Sequence, residues 1–465
     1  MYKSKILSYF LLAIVFSISI TVTIHIIVNK DNLQPGYENL FLLPLVYLLV
    51  YILFLHKVIY KYGISIFLTI YIFVSFFRYV ILSYFIVASG WYLGRSSISP
   101  SQENFNRAIM IMIYEIIVYN IFIYIFHNKF FKNKKLNKES VKFAKSSFVY
   151  FVFLIVTILL IIIFPDSLKF FSFIKVNNNY VTIENMSSMS AITAICVNVT
   201  KLLLYFVIIK FIIFKIGFKY KYTSILLVTL ITILNSLVFF GANRSDFIFS
   251  FLINMLILIY LYKQIGIVIS AFLMGLLPII VSKITEYRNS VTITGGSNRL
   301  IDFTDTLQVY LGGIYNVAIS LEIETQNKGV FYLLGDIFRS AIGPNIILKN
   351  INIIPSSRIF NERIFFNDKV SQIIPMIGQS NLYLGFILSP LLGICFIYFA
   401  IYLTKKLIQV KRIELIYVLS LFSGRIGFVM AQNGNILLND LTFYFPLFLL
   451  IYYINNKVVI KNEKS

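Results

Sequence analysis

ILSYFLLAIVFSISITVTIHIIV, residues 6–28, contains no acidic, lysine or arginine side chain. As a helix rising about 1.5 Å per residue it reaches about 34 Å, enough to cross a hydrocarbon core about 30 Å thick. Lys3 and Lys5 precede it and no small-residue cleavage site follows. The run is also longer than a signal-peptide core, so a retained first helix is expected. Comparable runs recur along all 465 residues, of which 59% are apolar and 13% charged. Soluble domains carry about 25% charged residues, and a transmembrane barrel would show weak alternating segments of about ten. The expected fold is all-α: a polytopic integral membrane protein of about twelve transmembrane helices.

The apolar runs fall at 6–28, 40–60, 64–89, 108–126, 148–164, 190–214, 224–240, 247–262, 265–284, 383–403, 413–430 and 441–453. Residues 1–284 thus carry helices one to nine. Residues 285–382 form one large hydrophilic segment with a re-entrant stretch at its end, and 383–465 carry helices ten to twelve and a tail. With the amino terminus inside, the short connections on one side hold about 22 basic residues and those on the other about six. That asymmetry places both termini in the cytoplasm and the segment 285–382 on the outer face of the cytoplasmic membrane. The net charge of +22 is then an orientation signal, and no nucleic-acid partner is expected. Cys196 and Cys395 lie inside apolar runs without a CxxC pair, which excludes a disulfide framework and a thiolate metal site.

Four constellations carry the polar chemistry. Arg78 and Glu115 lie on neighbouring antiparallel helices at depths that differ by about 6 Å. Intramembrane charges pair or face a wet cavity, so the two are a structural ion pair or a headgroup site in which Glu115 orients Arg78. GANRSD, residues 241–246, closes one helix and opens the next. It is either an ordinary turn, with Gly241 as the stop and Asp246 as the cap, or an anion site in which Arg244 and helix N–H groups face one phosphate. Glu286 and Arg288 stand where helix nine reaches the outer surface, and Arg425 lies in the outer half of helix eleven. Arginine, unlike lysine, grips phosphate with two parallel hydrogen bonds, although each arginine is also a plausible lipid anchor.

The fourth constellation is QIIPMIGQSNLY, residues 372–383, apolar but broken by Pro375 and Gly378. It reads either as an interfacial loop or as a stretch dipping back into the membrane under cover of protein. In the second case Gln379, Ser380, Asn381 and Tyr383 are hydrogen bonders suited to sugar hydroxyls. The middle of the segment, with amphipathic pieces at 310–321 and 331–339, is expected to form a lid or acceptor platform.

The chain has no Walker loop, HExxH or GxSxG. His25, His56 and His127 all lie at span ends, and the weak IDFTD pair Asp302 and Asp305 is the nearest approach to a carboxylate metal motif. No metal and no cofactor is expected.

About twelve spans, the GANRSD turn after helix seven, a large outer segment between helices nine and ten, and PMIGQSNLYLGFILSPLLG (375–393) together resemble the oligosaccharide repeat-unit polymerases of the Wzy type. That resemblance implies a metal-independent membrane glycosyltransferase making O-antigen or capsular polysaccharide outside the cytoplasmic membrane. A chain on polyprenyl pyrophosphate would be transferred onto one lipid-linked repeat unit. Arg78, Arg244, Arg288 and Arg425 would neutralise the departing pyrophosphate, and Glu286 or Asp246 would be the base. Membrane lipids, a flippase and a chain-length regulator are the implied neighbours. Two alternatives stay open. A polysaccharide flippase or transporter would favour two similar halves with paired broken helices. A lipid-linked sugar ligase generally carries an outer-loop histidine that this chain lacks.

Overall fold

With no water in a bilayer core, a backbone must satisfy its own N–H and C=O groups, so the long apolar runs fold as helices. The computed structural model describes residues 2–132, 141–173, 187–217, 219–240, 244–287, 293–325, 327–341, 344, 348, 353–365 and 372–458. The helices are α1 (Tyr2–Val28), α2 (Leu42–Tyr62), α3 (Ile66–Ser89), α4 (Gln102–Phe131), α5 (Phe148–Ile163), α6 (Ser188–Ile216), α7 (Lys221–Leu237) and α8 (Arg244–Tyr287). From the hydrophilic segment onward come α9 (Arg299–Leu311), α10 (Ile314–Glu322), α11 (Val330–Arg339), α12 (Ser356–Phe365) and α13 (Met376–Leu388). The chain ends with α14 (Leu391–Gln409), α15 (Ile413–Ile426) and α16 (Gly434–Lys457). Among the described residues the one sheet is a three-residue antiparallel pair, β1 (Phe171–Phe173) with β2 (Val238–Phe240).

Eight helices among the described residues are long and apolar enough to cross a membrane, against the twelve spans expected. The shortfall has identifiable causes. Helices α5 and α7 are 16 and 17 residues long, and α15 has 14. Helix α8 is counted once although it is two limbs: Lys263, at φ 50° and ψ −114°, breaks it. Ser270 Oγ donates to the Met255 carbonyl at 3.1 Å, a contact that 15 residues of straight helix, about 22 Å long, would forbid. The limbs therefore fold back as a hairpin, at the place where the apolar pattern separates helices eight and nine.

Several ends move for local reasons. Helix α4 begins at Gln102, not 108, because Ser101 Oγ accepts the Asn104 N–H and Glu103 pairs with Arg107 at 3.7 Å. The side chain of Asn433 accepts the Ile436 N–H at 2.9 Å and starts α16 at Gly434 instead of 441. Helix ten, expected from Tyr383, is divided. Gly385 at φ 76° interrupts α13, and the apolar span resumes at Leu391.

The chain forms two compact units, both discontinuous in sequence. The first comprises residues 1–136, 291–406 and 422–440, the second 137–290, 407–421 and 441–465. In the second, residues 142–149 are stitched to distant segments. Lys142 and Arg412 form a parallel bridge, Glu414 accepts the Ala144 N–H at 2.9 Å, and Asn455 accepts the Val149 N–H at 3.2 Å.

The first unit absorbs most of the hydrophilic segment. Every residue of α10 from Ile314 to Ser320 is buried, so this piece is core and not the lid or platform the sequence suggests. Gly94, at φ 73°, lets the chain pass the Tyr315 ring, whose nearest carbon would stand 2.2 Å from an added Cβ. Gly378 similarly leaves room for Ser320, 2.1 Å from such a Cβ. Tyr315 Oη accepts the Ser96 N–H at 2.7 Å. Arg363 pairs with Glu322 at 2.5 Å, and Arg95 with Asp305 at 2.7 Å. Burial pushes the Asp305 carboxyl above its ordinary value, against the pull of Arg95.

Candidate functional site

One of the expected site residues, Gln379, enters a buried polar cluster at the root of the hydrophilic segment, while Ser380 Oγ donates instead to the Leu388 carbonyl at 3.5 Å. Pro375 lacks an N–H and is therefore suited to the start of a helix; from it α13 carries Gln379, Ser380 and Tyr383 inward, all buried. Gln379 Nε2 lies 3.0 Å from Asp336 Oδ2, 3.1 Å from Ser356 Oγ and 2.5 Å from Asn435 Oδ1. Its Oε1 accepts the Gly434 N–H at 2.8 Å. Asp336, fully buried on α11, also accepts from Ser356 Oγ at 2.5 Å and from the Ser356 N–H at 3.3 Å. Asn435 Nδ2 donates to the Asp336 carbonyl at 2.8 Å.

A buried carboxylate is tolerable only when its lone pairs meet donors. Here those donors come from α12, α13 and the first turn of α16, so the cluster ties four elements together. Its polar atoms face one another, which makes it a rigid foundation in this arrangement. Burial raises the Tyr383 phenol well above its ordinary pKa and keeps it a neutral hydroxyl, with Asp336 adding to the shift. Asn381 is half-buried. Asp336, Ser356 and Asn435 escape sequence reasoning, because a lone acid in YLLGDIFR carries no local sign of partners that lie up to 99 residues away.

Arg78 and Glu115 do come together. Arg78 lies in a π-helical turn of α3, Phe77–Ile81, a distortion often found at functional positions. Its Nη1 meets Glu115 Oε2 at 2.9 Å, with both side chains fully buried. Tyr79 Oη donates to the same oxygen at 2.8 Å, and Arg78 Nε donates to the Gly312 carbonyl at 3.1 Å. The ion pair thus also holds the turn between α9 and α10. Arg425, in the last turn of α15, pairs with Asp440 of α16.

The remaining expected residues belong to the second unit. Arg244 is the first residue of α8 and Asp246 lies in its first turn; β2 ends four residues earlier at Phe240. The Arg244 side chain is not among those described. Glu286 is near the end of α8 with its side chain likewise undescribed, and Arg288 lies outside the described residues. Among the described residues no group of three His, Cys, Asp or Glu side chains is arranged to hold a metal ion.

The chain matches no family model, no curated protein and no solved structure.

Proposed function

We propose that the protein polymerises polyprenyl-pyrophosphate-linked oligosaccharide repeat units into a surface polysaccharide on the outer face of the cytoplasmic membrane. The observation that carries the reading furthest is Arg244 at the first position of a helix. The N–H groups of a first helical turn suit pyrophosphate oxygens, as does the guanidinium of an arginine. Other arginines are less available. Arg78, Arg95, Arg363 and Arg425 already face carboxylates, and Arg244 and Arg288 are the residues assigned to the leaving group. Stabilising charge that develops on a departing pyrophosphate needs fixed donors and no metal. Asp246 and Glu286 are the carboxylates closest in sequence for the acceptor hydroxyl. Gln379 is given a supporting role, since its side chain is engaged by Asp336, Ser356, Asn435 and Gly434.

The test is Arg244→Ala with the protein still present in the membrane. Long polysaccharide should vanish while single lipid-linked units accumulate on the outer leaflet. Accumulation on the inner leaflet would instead indicate a transporter, and unchanged chain lengths would remove Arg244 from the site.

A further inference from the structure

The second unit contains a cleft of about 880 Å³ that the polymerase reading does not use. Its walls come from the strand-like residues 141–145, the end of α6 and the tip of the α8 hairpin. Lys142, Lys145, Lys210 and Lys263 line it, and no acidic side chain does. Ile213, Phe214, Ile259 and Leu261 supply an apolar wall beside those cations.

The lysines differ in role. Lys210 Nζ donates to the carbonyls of Ala144 at 2.8 Å and Lys145 at 3.1 Å, which fixes the wall. Lys142, Lys145 and Lys263 are exposed. The carboxylate that acts on Lys210 is Glu414, buried and held by the Ala144 N–H. Among the described residues no carboxylate forms an ion pair with Lys142, Lys145 or Lys263, so three ammonium groups share one concave surface.

Lys263 adds an independent sign. It is the one non-glycine residue at positive φ among the described residues, at φ 50° and ψ −114°, where glycine is favoured. Strain of this kind persists only where the surrounding structure holds it, and it gathers at functional positions. Here the turn places a cation at the cleft's edge.

We propose that this cleft binds the phosphate headgroup of an anionic bilayer phospholipid, with an acyl chain along Phe214, Ile213 and Leu261. Cations on a rim above an apolar wall match an amphiphile with a charged head and a hydrocarbon tail. Free phosphate would use only the rim. Loop charge assigns the cleft to the cytoplasmic side, where anionic lipid attracts lysine.

The full-length protein, purified in a neutral detergent, is titrated with phosphatidylglycerol and, separately, with phosphatidylcholine, a polyprenyl phosphate and inorganic phosphate, and bound lipid is counted by native mass spectrometry. Phosphatidylglycerol should bind at least fivefold more tightly than phosphatidylcholine, and phosphate at equal concentration should not displace it. The triple variant Lys142→Gln/Lys145→Gln/Lys263→Gln should lose that preference, and the Lys142→Arg/Lys145→Arg/Lys263→Arg variant should keep it. Lys263→Gly, which relieves the turn, should melt at a higher temperature yet bind phosphatidylglycerol more weakly. Equal binding of the two lipids, displacement by phosphate, stronger binding of a polyprenyl phosphate, or an unchanged preference in the glutamine variant overturns the proposal.

Discussion

Arg78, in the third helix, donates its Nε–H to the carbonyl of Gly312, 234 residues further along the chain, while its Nη1 grips Glu115. One guanidinium thus joins two spanning helices to a turn of the hydrophilic segment, and its burial makes each of those bonds consequential.

Replacing Arg78 by Met leaves Glu115 buried without its counter-ion, which should cost about 3–5 kcal/mol. The double variant Arg78→Met/Glu115→Met should recover most of that loss, because an apolar pair of similar volume carries no desolvation penalty. Thermal denaturation of the detergent-solubilised protein measures both. A double variant no more stable than the single one would show that the Gly312 bond, and not the ion pair, dominates.

Gln379→Ala removes a donor from buried Asp336 and an acceptor from the Gly434 N–H, for an expected loss of about 1–3 kcal/mol. Gln379→Glu should be worse, since a second carboxylate would then stand beside Asp336. Equal stability of the two variants would contradict a carboxylate-centred cluster.

Ala at position 94 would have to adopt positive φ, at roughly 1–2 kcal/mol, and would meet the Tyr315 ring. In a Tyr315→Ala background the steric part should disappear and only the backbone part remain. The difference between the two Gly94→Ala shifts in melting temperature isolates the contact, and its absence would mean that Tyr315 does not occupy that position.

Asp302 accepts the Thr294 N–H at 2.9 Å and the Thr294 hydroxyl at 2.8 Å. The backbone N–H of Thr294 is the leading reason that its carboxyl lies below the ordinary 3.8. A depressed acid stabilises the fold above its unfolded pKa, and that contribution fades as pH falls through the folded value. Hydrogen-exchange protection of the Thr294 amide should therefore hold from neutrality down to about pH 4 and decline only in stronger acid. Asp302→Asn should flatten the profile; a decline beginning near pH 6 would implicate another group.

Hydrophobic runs made the spanning helices legible, because a 20-residue apolar stretch has few alternatives to a helix. Lys263 was legible too: a lone charge between two such runs marked the hairpin. Serine and asparagine caps at 101, 187 and 433 shift boundaries into polar sequence that hydropathy ignores. Full burial of IYNVAIS, residues 314–320, could not be read locally. Its Asn and Ser look like a polar face, and only contacts with Gly94, Gly378 and the Arg78-bound turn reveal that no face is exposed. Asp336 was hidden for the same reason, since its partners stand at 356, 379 and 435.

The discontinuity of the first unit sets an order of events during synthesis. Arg78 enters the membrane 234 residues before Gly312 is made, an interval of about 12–47 s at 5–20 residues per second. Until then α1–α4 have no α10 between them and the later segments, and the seat for Tyr315 beside Gly94 stands unfilled. The nascent protein must synthesise residues 137–290 while its first four helices wait incomplete. Truncation before residue 312 should yield a bundle that membrane quality-control proteases degrade, whatever the hydrophobicity of its individual spans.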